Sequence, residues 1–165
     1  MNQPQDWLDA LLAEVADGRL LPADALQQFF LHKRQSGDPT LTEEDNAFIT
    51  AMDAAEVAQR VASWCQRNAA AQGGVAQITV DLRRPGFFSP NRRPPSVTGV
   101  TAAGRRIMLF SPADVSAGGD YAEDCLRAGG SFTAAREDPV YLPVFRSALM
   151  TALHRLQLPE PTFIL

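Results

Sequence analysis

Apolar residues in the N-terminal part of the chain keep a helical period. Trp7, Leu8, Leu11, Leu12 and Val15 fall at i, i+1, i+4, i+5 and i+8, which makes one apolar stripe. Gly18 follows as a C-terminal stop. A second helix opens near Pro22, because proline suits a first turn where its missing N–H costs nothing. Leu26, Phe29 and Phe30 form its apolar face, and the run Ser36-Gly37-Asp38-Pro39 breaks it. Thr40 followed by Glu43 is a capping-box pattern, with Thr42 as a rival cap. The helix that follows runs to about Ala71 and carries Phe48, Ile49, Met52, Ala55, Val61, Ala62 and Cys65 on one side. Three such helices in series pack as a small bundle or cover one face of a sheet.

At Gly73-Gly74 the period changes to two. Ala76, Ile78, Val80 and Leu82 alternate with Gln77, Thr79 and Asp81, the pattern of a strand with one wet face. Residues 97–101 and 105–110 read as two more strands, joined by the short loop Ala102-Ala103-Gly104. Between the first strand and this hairpin, residues 83–95 hold four prolines and one glycine, too many for a regular element. Ser111-Pro112-Ala113-Asp114 is a further cap signal, and residues 120–128 read as a short helix ended by Gly129-Gly130. In the last helix Val144, Phe145, Ala148, Leu149, Ala152, Leu153 and Leu156 trace an apolar stripe that Val140 and Tyr141 extend backwards. Pro143 marks its first turn, since deeper in it would clash with the preceding turn. Pro159 and Pro161 end it, and Phe163-Ile164-Leu165 remains as an apolar tail without an assigned role.

These elements define an α+β chain: N-terminal helices, a small antiparallel sheet of three or more strands, and a long C-terminal helix. Its 165 residues suit one domain, with a helical part over 1–72, a β-meander over 75–111 and a second helical part over 112–165. Apolar residues at 45% and charged residues at 21% are ordinary for a soluble globular chain, which excludes collagen-like and disordered classes. No run approaches the 18 or so consecutive apolar residues of a membrane span. The first ten residues carry Asp6 and Asp9 and no base, unlike a secretory or transit signal.

Charge adds a feature that periodicity does not show. Residues 1–74 hold eleven acids and five bases, net −6, and residues 112–165 hold seven and four, net −3. Between them, residues 75–111 hold one acid, Asp81, against six arginines, net +5. The six are Arg83, Arg84, Arg92, Arg93, Arg105 and Arg106, with Phe87 and Phe88 between the first two pairs. Guanidinium groups take carboxylate or phosphate bidentately and stack on aromatic planes. An acidic protein partner fits this set, as does single-stranded nucleic acid, where bases stack on rings and phosphates meet cations. Pairing with the chain's own acidic flanks is the third reading. A total charge of −4 opposes long-range attraction to nucleic acid and disfavours the second.

Chemistry beyond binding finds little support. Cys65 and Cys125 make no CxxC and are too few for a disulfide framework or a zinc cage, so reduced thiols in a cytosolic chain are expected. His32 and His154 lie on helices, away from any nucleophile motif, and no GxSxG occurs. Glu43, Glu44 and Asp45 suit a helix N-terminus, where acids meet the positive end of the dipole. Gly118-Gly119 and Gly129-Gly130 lack the Lys-Ser/Thr of a phosphate loop. No catalytic residue, metal or cofactor is expected. The expectation is a non-enzymatic, cytoplasmic protein-binding module: an adaptor, an inhibitor or immunity-type protein, or a dedicated chaperone. Its contact residues would be Arg83, Arg84, Phe87, Phe88, Arg92, Arg93, Arg105 and Arg106. A nucleic-acid or polyanion binder is the main alternative, and an enzyme with an unrecognised site the second. Amphipathic helices at both ends offer more apolar area than one small sheet covers, which points to a two-fold homodimer.

Overall fold

The structure, a computed structural model, describes residues 4–83, 96–112, 135 and 137–165. The first helix, α1, spans Pro4–Ala16, and Gly18 after it takes a left-handed φ of 76°. Helix α2 spans Pro22–Ser36 and is stopped by left-handed Gly37, whose N–H reaches the Arg34 carbonyl. Its buried line is Pro22, Ala25 and Phe29. Leu26 is only half-buried, and Phe30 turns outward to pack edge-on against Phe29 at 5.1 Å. The narrow i, i+3, i+7 line suits a peripheral helix that touches its neighbours along one seam.

Helix α3 spans Glu43–Ala71. The rival cap is the one formed. Thr42 Oγ1 accepts from the Asp45 N–H, and Asp45 Oδ2 accepts from the Thr42 N–H at 2.9 Å. The Thr40 N–H is already donated to Asp38 Oδ1, which holds residues 38–40 in a turn and delays the helix start.

Strands β1 (Gln77–Asp81), β2 (Ser96–Val100) and β3 (Arg106–Phe110) pair antiparallel in succession. Helix α4, Tyr141–Arg155, then leads into β4, Pro161–Ile164. The strand order is β3-β2-β1-β4, and β4 lies parallel to β1. The expected wholly antiparallel sheet is therefore corrected at one edge. A parallel pairing needs a long crossover, and α4 supplies it, carrying the chain from one sheet edge to the other. The apolar tail thus becomes a strand: the Leu82 N–H donates to the Ile164 carbonyl at 2.8 Å.

Helices α3 and α4 pack together and cover one face of the sheet. Ile78, Val80 and Leu82 point into that layer, as their alternation requires. On β3 a bulge falls opposite Val97–Thr98 and lets Leu109 and Phe110 both turn inward. The Leu109 carbonyl, displaced by the bulge, accepts from Asn68 Nδ2 of α3 at 2.6 Å. Gly99 of β2 has no room for a side chain, since a Cβ there would stand 2.9 Å from Val75 Cγ1.

Phe145, Leu149 and Leu153 of α4 are fully buried in this layer, whereas Leu156, at the helix end, is half-buried. Asp138 caps α4 by accepting from the Val140 and Tyr141 N–H groups. Pro143 lies in the first turn, as expected. A second apolar cluster joins α1, α2 and the N-terminal half of α3 through Leu8, Leu11, Phe29, Phe48 and Met52. Among the described residues no helix is long and apolar enough to cross a membrane. The caps and helix expected over residues 113–134 lie outside the described residues.

Candidate functional site

The arginine set is divided by the fold. Arg83 is held by Asp81, the one acid of the basic segment: its Nε and Nη2 donate to Asp81 Oδ1 and Oδ2 at 3.0 and 2.7 Å. This hydrogen bonding raises the guanidinium pKa further above its already high value. Arg83 is a strand-end brace, with its fork already occupied. Arg105 and Arg106 stand at the hairpin, both exposed, and make no ion pair among the described residues. The loop below them is closed by Thr101, which accepts from the Gly104 N–H through its carbonyl and from the Arg105 N–H through its hydroxyl. Gly104 takes φ +84°, a left-handed turn position that glycine adopts without strain. Arg106 and Met108 alternate outward on β3, an edge of the sheet, and Met108 is 42% exposed. Arg84, Phe87, Phe88, Arg92 and Arg93 lie outside the described residues.

The residues weighed for chemistry are dispersed. Cys65 is fully buried, and that burial pushes its thiol up to about 12. Such a thiol carries almost no thiolate near neutrality and is a poor nucleophile. Cys125 lies outside the described residues. His32 is exposed and stacks on Trp7 at 4.1 Å, and His154 is exposed on α4. Asp45 is buried, which by itself would raise its carboxyl. The hydrogen bonds from Lys33 Nζ, at 2.6 Å, and from Thr42 outweigh that and hold it below the ordinary value. Its role is to bind the end of α2 to the start of α3. Among the described residues no three His, Cys, Asp or Glu side chains gather as a metal site would require.

One recess was not anticipated. A cleft of about 590 Å³ opens between α1, α3 and α4. Leu12, Val15 and Ala16 of α1 form one wall, continued by Gly18, Leu20 and Leu21 of the following turn. Met52, Ala55, Gln59 and Ser63 of α3 form the second side. The third comes from α4, from Pro143 and Val144 to Arg155 and Leu156. Among the described residues Arg155 is the one charged residue of the lining. Its Nη2 donates to the Ala16 carbonyl at 3.3 Å. Gly18 makes that approach possible, since a Cβ there would lie 2.6 Å from the guanidinium carbon. The hint in the sequence is that Ala55 on α3 and Ala148 and Ala152 on α4 occupy apolar-stripe positions where larger side chains would close the gap.

Compared with protein-family models, curated proteins and solved structures, the chain matches none of them.

Proposed function

We propose that this chain is a non-enzymatic protein-binding module that engages an acidic partner through the cationic β2–β3 hairpin. The observation that carries the reading is Arg105 and Arg106 exposed beside Met108 on an edge strand, in a chain of net charge −4. Two adjacent cations near an exposed apolar side chain suit an acidic segment with an apolar anchor, and exposed charges of this kind set association rate and partner choice. Arg84, Arg92 and Arg93 of the proline-rich segment belong to the same proposal as further cations for the acidic partner. An adaptor, an inhibitor or a dedicated chaperone in the cytosol all fit it. Residues 1–165 act as one domain in this proposal, supported by α3, which contributes to both apolar clusters. Self-association as a two-fold dimer belongs to the same proposal, supported by exposed Phe30, Leu31 and Leu41, and light scattering checks it.

The test is double charge reversal, Arg105→Glu with Arg106→Glu, read by anisotropy titration with poly-L-glutamate and with a single-stranded oligonucleotide. Poly-L-glutamate should bind the native chain, more weakly as salt rises, and the reversed chain should lose that binding with an unchanged unfolding midpoint. Tighter binding of the oligonucleotide, with the steep salt slope of counterion release, would favour the polyanion reading instead.

A further inference from the structure

We propose that the cleft between α1, α3 and α4 binds a small apolar monoanion, an alkyl chain ending in a carboxylate, with Arg155 receiving the charged head. This goes beyond the hairpin reading and is independent of it. Protein interiors pack with few voids larger than a water molecule, so about 590 Å³ between three helices is a recess rather than imperfect packing. The volume lies within the range of small-ligand sites. Small side chains create it: Ala55, Ser63, Ser147, Ala148 and Ala152 line α3 and α4, where leucine-sized residues would fill the space. The α4 stripe from Val144 to Arg155 spans about 16 Å at the helical rise per residue, long enough for an extended chain.

Charge selects the occupant. Among the described residues the lining includes no Asp or Glu, and its single charge is Arg155. The guanidinium is exposed in the last turn of α4 and held by one hydrogen bond to the Ala16 carbonyl. An arginine side chain offers five N–H donors in a fork that matches a carboxylate, so donors remain for a ligand. Gly18 accommodates the guanidinium at that position, at the cost of any side chain there. Gln59 and Thr151 add uncharged hydrogen-bonding groups that tolerate a carboxylate without demanding a second charge.

The experiment is calorimetric titration of the native chain with octanoate, decanoate and dodecanoate below their micellar concentrations, with dodecanol and dodecylamine as head-group controls. Saturable one-site binding is expected, tightening by roughly tenfold or more for each two methylenes added. Dodecanoate should bind at least tenfold more tightly than dodecylamine. Arg155→Ala should weaken dodecanoate by tenfold or more and leave dodecanol unchanged, with the unfolding midpoint preserved because Arg155 is exposed. Ser147→Phe, also at an exposed position, should fill the cleft and reduce binding of dodecanoate and dodecanol alike. Absence of saturable binding, equal affinity for the amine, or indifference to both substitutions in folded chains would each overturn the proposal. A dimer in light scattering that excludes dodecanoate would assign the cleft to a second copy and overturn it as well.

Discussion

The sheet-side core and the N-terminal helical core share α3 but are closed by different means. Around Phe145, Leu149 and Leu153 the contacts come from β1, β2, β3 and α3, elements far apart in the chain, and the buried set is wholly apolar apart from its Tyr141 hydroxyl. Around Phe29, Phe48 and Met52 the buried residues come from three helices consecutive in sequence, with only Val144 and Ala148 of α4 packed against them from farther along the chain. There the junction of two of them is fixed by a charge pair, Lys33 with Asp45, beside the Thr42 cap. In the same region Trp7 stacks on Phe29 at 6.2 Å, and Phe48 meets Phe29 in a tilted contact at 5.1 Å. One core rests on long-range apolar burial, the other on local helix formation supplemented by a polar clasp. Local clusters with few long-range partners open at lower free energy, so the cleft at their junction borders the more easily opened of the two.

Replacing Leu149 by alanine should have the largest effect, about 2–5 kcal/mol, because the side chain is fully buried in the sheet-side core. Leu11→Ala, in the helical core, should fall near the low end of that range because α1 has few neighbours and can settle inward. Urea unfolding of both variants checks the contrast, and equal costs would erase it.

Asp45→Ala comes next, at about 2 kcal/mol, from loss of the α3 cap and of the partner of half-buried Lys33. The same residue gives a pH dependence. Its folded pKa lies below the ordinary 3.8, so the folded state binds fewer protons than the unfolded chain as the medium turns acidic. The stabilisation is complete above about pH 5 and is lost as pH falls through 3.8 towards the folded value. Asp45→Asn should flatten that acid slope in midpoints measured across the acid range. An unaltered slope would place the acid sensitivity elsewhere.

Asn68→Ala should cost about 1–2 kcal/mol, since it leaves the Leu109 carbonyl at the bulge without its side-chain donor. Hydrogen exchange should then quicken on β3 and not on α1 or α2. The smallest effect concerns Cys65. Burial and a thiol pushed up to about 12 should leave it unmodified by iodoacetamide in the folded chain and reactive in denaturant. Rapid native alkylation at Cys65 would show that the sheet-side core opens as readily as the helical one.

Periodicity determined most of the element list. The spans of α2, α3 and α4 are read from apolar stripes with Pro22, Gly37 and Pro143 as punctuation, with the α3 cap left between Thr40 and Thr42, because capping and turn chemistry act over a few residues and need no tertiary partner. The alternation of Ile78, Val80 and Leu82 likewise fixed which face of β1 is buried, since a strand has only two faces. Composition also showed that the arginines are clustered. Only the tertiary structure decided what they meet: Arg83 finds Asp81 two residues away, while Arg105 and Arg106 find no such acid among the described residues. It decided, too, that residues 161–164 form a parallel edge strand, because strand pairing depends on where α4 delivers the chain. The cleft was decided last. Its three sides come from stripes that each look like ordinary core, and the missing volume exists only where their small residues face one another.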